Sequence, residues 1–396
     1  MSKKLNTKMS RRDFLKLLAA GSAGFLLAEA SENFEFIKKI LPLSKIKSPK
    51  PIVNFYESQT IYSPLVKEDV KKAIEEVKYL NKIVDKNSKV VLKPNWRESI
   101  DSDNITTNRY VVEGAVEYLE ELGVNKENII LAEGPCCTTD IEEVLRTNGA
   151  SLMMKKHDIK FVHLGVADCV KVDVPNPIIH KSLWIPRILA DEDTILINMP
   201  KLKTQPTCGV SCALKNLMGA MPSTVYGYIY DWGSFQRGQL HRLDMSLPYP
   251  RCDIVHASLA DINSVIKQNF VIVDAILVSV EEGFENDPPE NVGLIVSGND
   301  PLAVDATIAR RGGLDPNKIA HMKLSALKNI GTFDEDSIGV IGSKRTFTLK
   351  PPIKTSERLL EFIHEQLGYP IEVTDTYPYP EFNTVEEWKK IAKVDY

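Results

Sequence analysis

The sequence predicts an α/β fold, a mostly parallel sheet covered by helices on both faces, with a long irregular insertion over the carboxyl ends of the strands. Short, unbroken apolar runs recur along the chain, as in Val90-Val91-Leu92, Ile129-Ile130-Leu131 and Ile195-Leu196-Ile197. Strands buried on both faces read this way, whereas half-exposed strands alternate. Between the runs lie stretches whose apolar residues return every three or four positions, the helical period. The composition is also that of an ordinary globular chain: 396 residues, 43% hydrophobic and 26% charged, with a net charge of -4. That balance excludes disordered, collagenous and polytopic membrane proteins, and it offers no general basic surface for nucleic acid.

Residues 1–30 stand apart. They hold six basic side chains and two acidic ones. Ser10-Arg11-Arg12-Asp13-Phe14-Leu15-Lys16 matches a twin-arginine export signal, the apolar stretch 17–28 follows, and Ala28-Glu29-Ala30 supplies a small-residue cleavage site. The apolar stretch is shorter than the roughly 20 residues a membrane span needs. The expectation is therefore an extracytoplasmic protein, with membrane attachment only through an uncleaved signal. Residues 31–52, bearing Lys, Pro and Ser, form a linker, and the α/β core is expected over 53–350.

Within the core, Ser63-Pro64 opens a helix with Val66, Val70, Ala73, Ile74 and Val77 on one face. A strand at 89–92 precedes a helix from Asn108 to Leu122, stopped by Gly123. Strand 128–132 leads to Thr139-Asp140-Ile141-Glu142, a capping box whose helix ends at Gly149. Further strands are expected at 160–164, 194–197, 270–273, 293–296 and 338–341, with helices over 303–311 and from Asp315-Pro316 to Leu327. Residues 199–254 lack clear periodicity apart from a helix around 212–218, and read as a lid-like insertion. The tail, 351–396, carries one helix at 356–367 and the segment Tyr377-Pro378-Tyr379-Pro380, a peripheral wrap.

Ligands in open parallel sheets bind beyond the carboxyl ends of the strands. Lysine and asparagine concentrate at such places here: Lys93-Pro94-Asn95 after the 89–92 strand, Asn198-Met199-Pro200-Lys201-Leu202-Lys203-Thr204 after 194–197, and Lys215-Asn216 downstream. Ammonium and amide groups that converge suit a carboxylate, a phosphate or an enolate-like transition state. The alternative is that these lysines merely face water. Asp274, at the end of the 270–273 strand, and Asp305, one turn into a helix, are the candidate general bases or metal ligands. Asp300-Pro301 reads as a helix cap. His241 and His256 fall in or beside the insertion, where a lone histidine is more often structural than catalytic.

Six cysteines are present, at 136, 137, 169, 208, 212 and 252. They do not form a disulfide framework for a chain of this length. Cys208 and Cys212, four apart, would share one face of a helix, and are the candidate metal or cluster ligands. The common nucleotide-binding, serine-hydrolase and zinc-protease signatures do not occur.

Val91-Leu92-Lys93-Pro94-Asn95, Pro200-Lys201-Leu202-Lys203-Thr204, Ala213-Leu214-Lys215-Asn216-Leu217-Met218-Gly219 and Asp300-Pro301-Leu302-Ala303-Val304-Asp305-Ala306 together resemble the family catalogued as domain of unknown function 362, over about residues 88–345. The resemblance implies an α/β domain. Some relatives carry a ferredoxin-like iron–sulfur module that has no counterpart in these residues. Gln205 stands where the family pattern has a histidine, and Glu281-Glu282-Gly283-Phe284 matches its glycine-rich acidic segment only loosely.

The leading expectation is an exported enzyme, redox-related, that binds a small anionic ligand through Lys93, Asn95, Asn198, Lys201, Lys203, Lys215 and Asn216, with Asp274 or Asp305 as base. Its cofactor is unknown. The alternatives are a non-catalytic extracytoplasmic binding protein using the same crevice, and a metal or iron–sulfur protein centred on Cys208 and Cys212, with Cys252 or His241 as further ligands.

Overall fold

The computed structural model describes residues 50–61, 63–96, 104–135, 140–205, 208–227, 238–241, 254–281, 287–351, 379 and 381–391. The signal and most of the linker, Cys136, Cys137, Cys252, most of 228–253, and the tail helix expected at 356–367 lie outside the described residues.

Twelve strands are described: β1 (Ile52–Glu57), β2 (Lys89–Lys93), β3 (Ile129–Glu133), β4 (Lys160–His163), β5 (Cys169–Asp173), β6 (Ser182–Pro186), β7 (Thr194–Asn198), β8 (Lys201–Gln205), β9 (Gly209–Ser211), β10 (Phe270–Ser279), β11 (Pro289–Gly298) and β12 (Gly339–Gly342). Ten of them make one sheet in the order β12-β1-β11-β10-β7-β2-β3-β4, with β8 beside β10 and β9 beside β8; β5 and β6 pair separately. Most pairings in the large sheet are parallel, and the antiparallel ones are β1–β11, β10–β11 and β8–β9.

Helices cover both faces. On one side α1 (Leu65–Val77) and α2 (Arg109–Glu121) pack against Val90, Leu92, Ile129, Leu131, Phe270 and Ile272. Neighbouring residues in the strands point the other way, as successive strand residues must. Val91, Ala132 and Leu196 meet α6 (Val255–Val265) through Leu259 and Ile262, and Val271 and Val273 meet α7 (Pro301–Arg311) through Leu302 and Ile308. Covering both faces is what makes the runs in the sequence continuous rather than alternating.

Side-chain caps occur at three helix starts; at the expected capping box the N-cap is Asp140, and Thr139 lies outside the described residues. Asn108 and Asp140 each accept a backbone N–H two residues on, and Asp300 accepts from Ala303 with Pro301 in the first turn. Gly149 takes a left-handed φ of 70° just past α3 (Ile141–Thr147), the backbone glycine adopts most readily. A second helix, α4 (Ala150–His157), starts directly there and was not expected.

Other departures concern the region around the expected insertion. Residues 199–227 are largely core: Met199, Leu202, Val210, Leu214, Leu217 and Met221 are buried. The stretch lacks one period because β8, β9, the short α5 (Ala213–Asn216) and a 3-10 turn at Leu217–Ala220 follow each other within a few residues. The expected 270–273 strand runs on to Ser279, so Asp274 is not at a strand end but inside β10, next to an irregularity between Ala275 and Leu277. The helix expected from Asp315 to Leu327 divides into a 3-10 turn (Pro316–Lys318) and α8 (Ala320–Leu327). No helix of the described residues is long and apolar enough to cross a membrane.

Candidate functional site

In the parallel ladder of β2 and β7, Lys93 stands opposite Asn198 at the carboxyl ends of both strands. Trans-strand neighbours carry side chains to the same level, so the local strand rule already brings an ammonium and an amide together. The rest of the site is assembled on this pair.

Asn216, on α5, links the segments. Its Nδ2 donates to Asn198 Oδ1 (2.6 Å) and more weakly to the carbonyls of Lys93 and Pro94 (both 3.3 Å). Its Oδ1 accepts from Asn95 Nδ2 (3.0 Å) and from the Lys93 ammonium (3.4 Å). Asn95 Oδ1 in turn accepts from Lys203 Nζ (3.2 Å), which also donates to the Ile105 carbonyl (3.0 Å). Lys93, Asn95, Asn198, Lys203 and Asn216 therefore belong to one hydrogen-bonded network, drawn from β2, β7, β8 and α5.

Buried ammonium groups need carboxylates, because desolvating an unmatched charge is costly. Lys93 donates to Glu133 Oε1 at 2.8 Å, with both side chains almost wholly buried. Glu133 ends β3 and accepts two further bonds, from the backbone N–H groups of Gly134 (2.8 Å) and Trp96 (3.0 Å). Gly219 closes over this pair: a Cβ there would lie 2.9 Å from Glu133 Oε1 and 3.1 Å from Lys93 Nζ. Sequence reasoning missed Glu133. Its signal was available, since it follows the apolar run Ile129–Ala132 as Lys93 follows Val90–Leu92.

Lys201 is matched separately, its Nζ 2.9 Å from Asp274 Oδ1 as an ion pair set off the line of any hydrogen bond. The strand pairing of β8 with β10 puts these two residues opposite each other. Asp274 also holds backbone: Oδ2 accepts from the Asn108 N–H (2.8 Å) and Oδ1 from the Ile276 N–H (3.1 Å). The carboxylate thus ties the entry of α2 to β10.

Asp305 behaves in the same way. Its two oxygens accept the N–H groups of Ala213 (2.8 Å) and Leu214 (2.9 Å), capping the short helix that presents Asn216. Complete burial pushes its carboxyl up to about 7, against the opposing pull of those N–H groups and of the Cys212 thiol. The Cys212 thiol is pushed well up by burial, with the Asp305 charge adding to it. Asp274 and Asp305, expected as bases, are both anchors of backbone in this geometry.

Lys215 is half-buried, and its charge falls on His256 and His321, whose buried rings stack 5.7 Å apart. Burial, aided by Lys215, pushes His256 down to about 3 and His321 well below its usual range.

Cys208 and Cys212 do not share a helical face, because β9 lies between them. Cys208 Sγ donates to the Val210 carbonyl (3.2 Å) and accepts from Gln205 Nε2 (2.9 Å). Among the described residues, the one group of three potential ligand side chains with donor atoms close enough for one ion is Glu113, Glu117 and His157, and it includes neither cysteine. Lys67 and Lys156 pair with both of those glutamates.

A family model described as a domain of unknown function, DUF362, matches residues 90–310, a span that contains every residue of the network. No curated protein matches the chain. Among solved structures, a protein from Thermotoga maritima is similar, 15% identical with a TM-score of 0.36, over 61% of this chain and 57% of that one. The chain thus spans somewhat over half the length of that relative.

Proposed function

The chain belongs to the DUF362 family, and on that premise we propose that it is an enzyme acting on a small anionic molecule in the crevice beyond β2, β7 and β8. Asn95 and Lys203 supply its donors, and Asn216 with the carboxylate-matched Lys93 and Lys201 holds the surrounding frame. One observation carries the reading: a single amide on α5, Asn216, bonds both to the exit of β2, at Lys93 and Asn95, and to the end of β7, at Asn198. Apolar residues of similar volume would cost less to bury than such a network, which is why a polar centre at strand carboxyl ends points to a ligand rather than to stability.

Lys93 and Lys201 are each held by a carboxylate, and Lys203, bonded to Asn95 and to the Ile105 carbonyl, is the lysine we assign to the ligand. The test is a thermal-shift series on the full chain with inorganic phosphate, sulfate, acetate and oxalate, repeated on Lys203→Met. At least one anion should raise the melting temperature of the parent and lose that effect in the variant. Equal shifts in a folded variant, or no shift with any of the four, would refute the reading.

The use of Asp274 and Asp305 as backbone anchors favours a second reading, ligand binding without turnover. Assay of the ligand that shifts the melting point for conversion to a product separates the two. Export is part of the proposal, supported by Arg11-Arg12 and the apolar stretch behind them, and cell fractionation of the full chain tests it. A redox reaction is the subclass we carry forward, supported by that export route, and the visible spectrum of protein purified without oxygen checks it.

A further inference from the structure

A cleft of about 190 Å³ opens beside the network, lined by Asn263, Lys267, Gln268, Asn299 and Asp300, with Ile266 and Ile330 as apolar wall. It lies where the carboxyl end of β11 meets the amino end of β10, its antiparallel neighbour. Asn299 and Asp300 directly follow the carboxyl end of β11, and Gln268 just precedes β10, whose Phe270 pairs with Ile197 near the carboxyl end of β7. Its volume is that of about six waters, enough for a molecule of amino-acid size.

The polar groups of the cleft fall into two opposite kinds. Asp300 supplies a carboxylate whose Oδ1 accepts from the Ala303 N–H (2.9 Å) and whose Oδ2 accepts from Thr332 (3.2 Å). The Leu302 N–H bonds to the same carboxylate, and three backbone donors on two oxygens still leave acceptor capacity. Gly331 is folded tightly over it, since a Cβ there would fall 2.2 Å from Oδ1. Burial pushes the Asp300 carboxyl up, the mark of a charge short of a cationic partner.

The other kind are donors. Lys267 is exposed and makes no ion pair among the described residues. Asn299 uses its Oδ1 to accept from the Ile52 N–H (2.8 Å), leaving its Nδ2 to the cleft. Gln268 is held on both sides, its Oε1 accepting from Asn198 Nδ2 (2.6 Å) and its Nε2 donating to Asn263 Oδ1 (2.6 Å). One N–H of that amide remains.

We propose that this cleft is a second binding site, for a small zwitterion whose ammonium pairs with Asp300 and whose carboxylate takes the donors of Lys267, Asn299 and Gln268. A lone anion would meet the Asp300 charge, and a lone cation would leave Lys267 and both amides unmatched, so a ligand bearing both charges is the class that satisfies the cleft. Gln268 places the site one hydrogen bond from Asn198 and two from Asn216. The proposal does not depend on the anion reading of the network.

Isothermal titration of the full chain with glycine, L-alanine, L-serine and L-aspartate tests it, with ethylamine and propionate as the single-charge counterparts of L-alanine. At least one amino acid should bind, and where L-alanine does, both counterparts should bind at least tenfold more weakly. Lys267→Met should weaken the amino acid at least tenfold while the unliganded melting temperature stays near the parent's, and Asp300→Asn, in which one of two N–H-accepting oxygens becomes an amide nitrogen, should weaken it at least tenfold in protein that remains folded. Lys203→Met should leave this binding intact. Absence of binding by all four amino acids, a single-charge counterpart binding as tightly as L-alanine, or unchanged affinity in both variants would overturn the proposal.

Discussion

Glu133 Oε1 lies 2.8 Å from the ammonium of Lys93, and neither side chain is more than 2% exposed. The two groups come from the carboxyl ends of adjacent parallel strands: Leu92 pairs with Leu131, and Glu133 stands one residue beyond the position level with Lys93. Removing one member of such a pair strands the other charge in the interior, a larger penalty than the pair's own net worth. Lys93→Met and Glu133→Leu should each destabilise by about 3–5 kcal/mol, and the double variant should recover most of that loss. Denaturant unfolding of the three proteins measures it. Additive losses would show that the two groups do not interact.

Gly219 leaves this pair no room for a side chain above it. Gly219→Ala should force the lysine or the glutamate aside and cost about 1–3 kcal/mol, as overpacking a filled interior does. A melting temperature equal to the parent's would contradict the close packing.

Asp305 gives a pH dependence with a definite sign. Its folded-state value, raised by burial to about 7, exceeds the unfolded value of about 3.9. Between those limits the folded state binds more protons, so stability is full below about pH 4 and falls as the pH rises towards 7. Asp305→Asn should flatten this slope, and the difference in unfolding free energy between parent and variant across pH 4–7 should show it. The same variant should loosen the helix that carries Asn216, because one of its two capping oxygens becomes an amide nitrogen.

His256 works in the opposite direction. Burial first, then the Lys215 charge, lowers it to about 3, beneath an unfolded value of about 6.5. Its contribution is present above about pH 6.5 and is lost as the pH falls towards 3. His256→Gln should reduce the acid sensitivity of the parent over that interval. Lys215→Met should raise the apparent imidazole titration in NMR, since it removes a positive charge that disfavours protonation.

The sequence by itself determined the layered α/β architecture. Unbroken runs such as Val90-Val91-Leu92 are stable only where both faces are covered, and the cap at Asn108 and the turn at Gly149 rest on local backbone chemistry that any tertiary setting must respect. It also picked out the lysines and asparagines that gather at the carboxyl ends of strands. Their partners were decided elsewhere. Lys201 meets Asp274 because β10 continues past the end of β7 to run beside β8. Glu133 reaches Lys93, and the Lys215 charge bears on two buried histidines, across segments far apart in the chain. The spacing of Cys208 and Cys212 suggested one helical face, but pairing with β8 drew Gly209–Ser211 into a strand. Local patterning follows from short-range sterics and hydrogen bonding, so it can be read along the chain. Which charge neutralises which depends on register and desolvation across the folded interior, and only the assembled sheet fixes those.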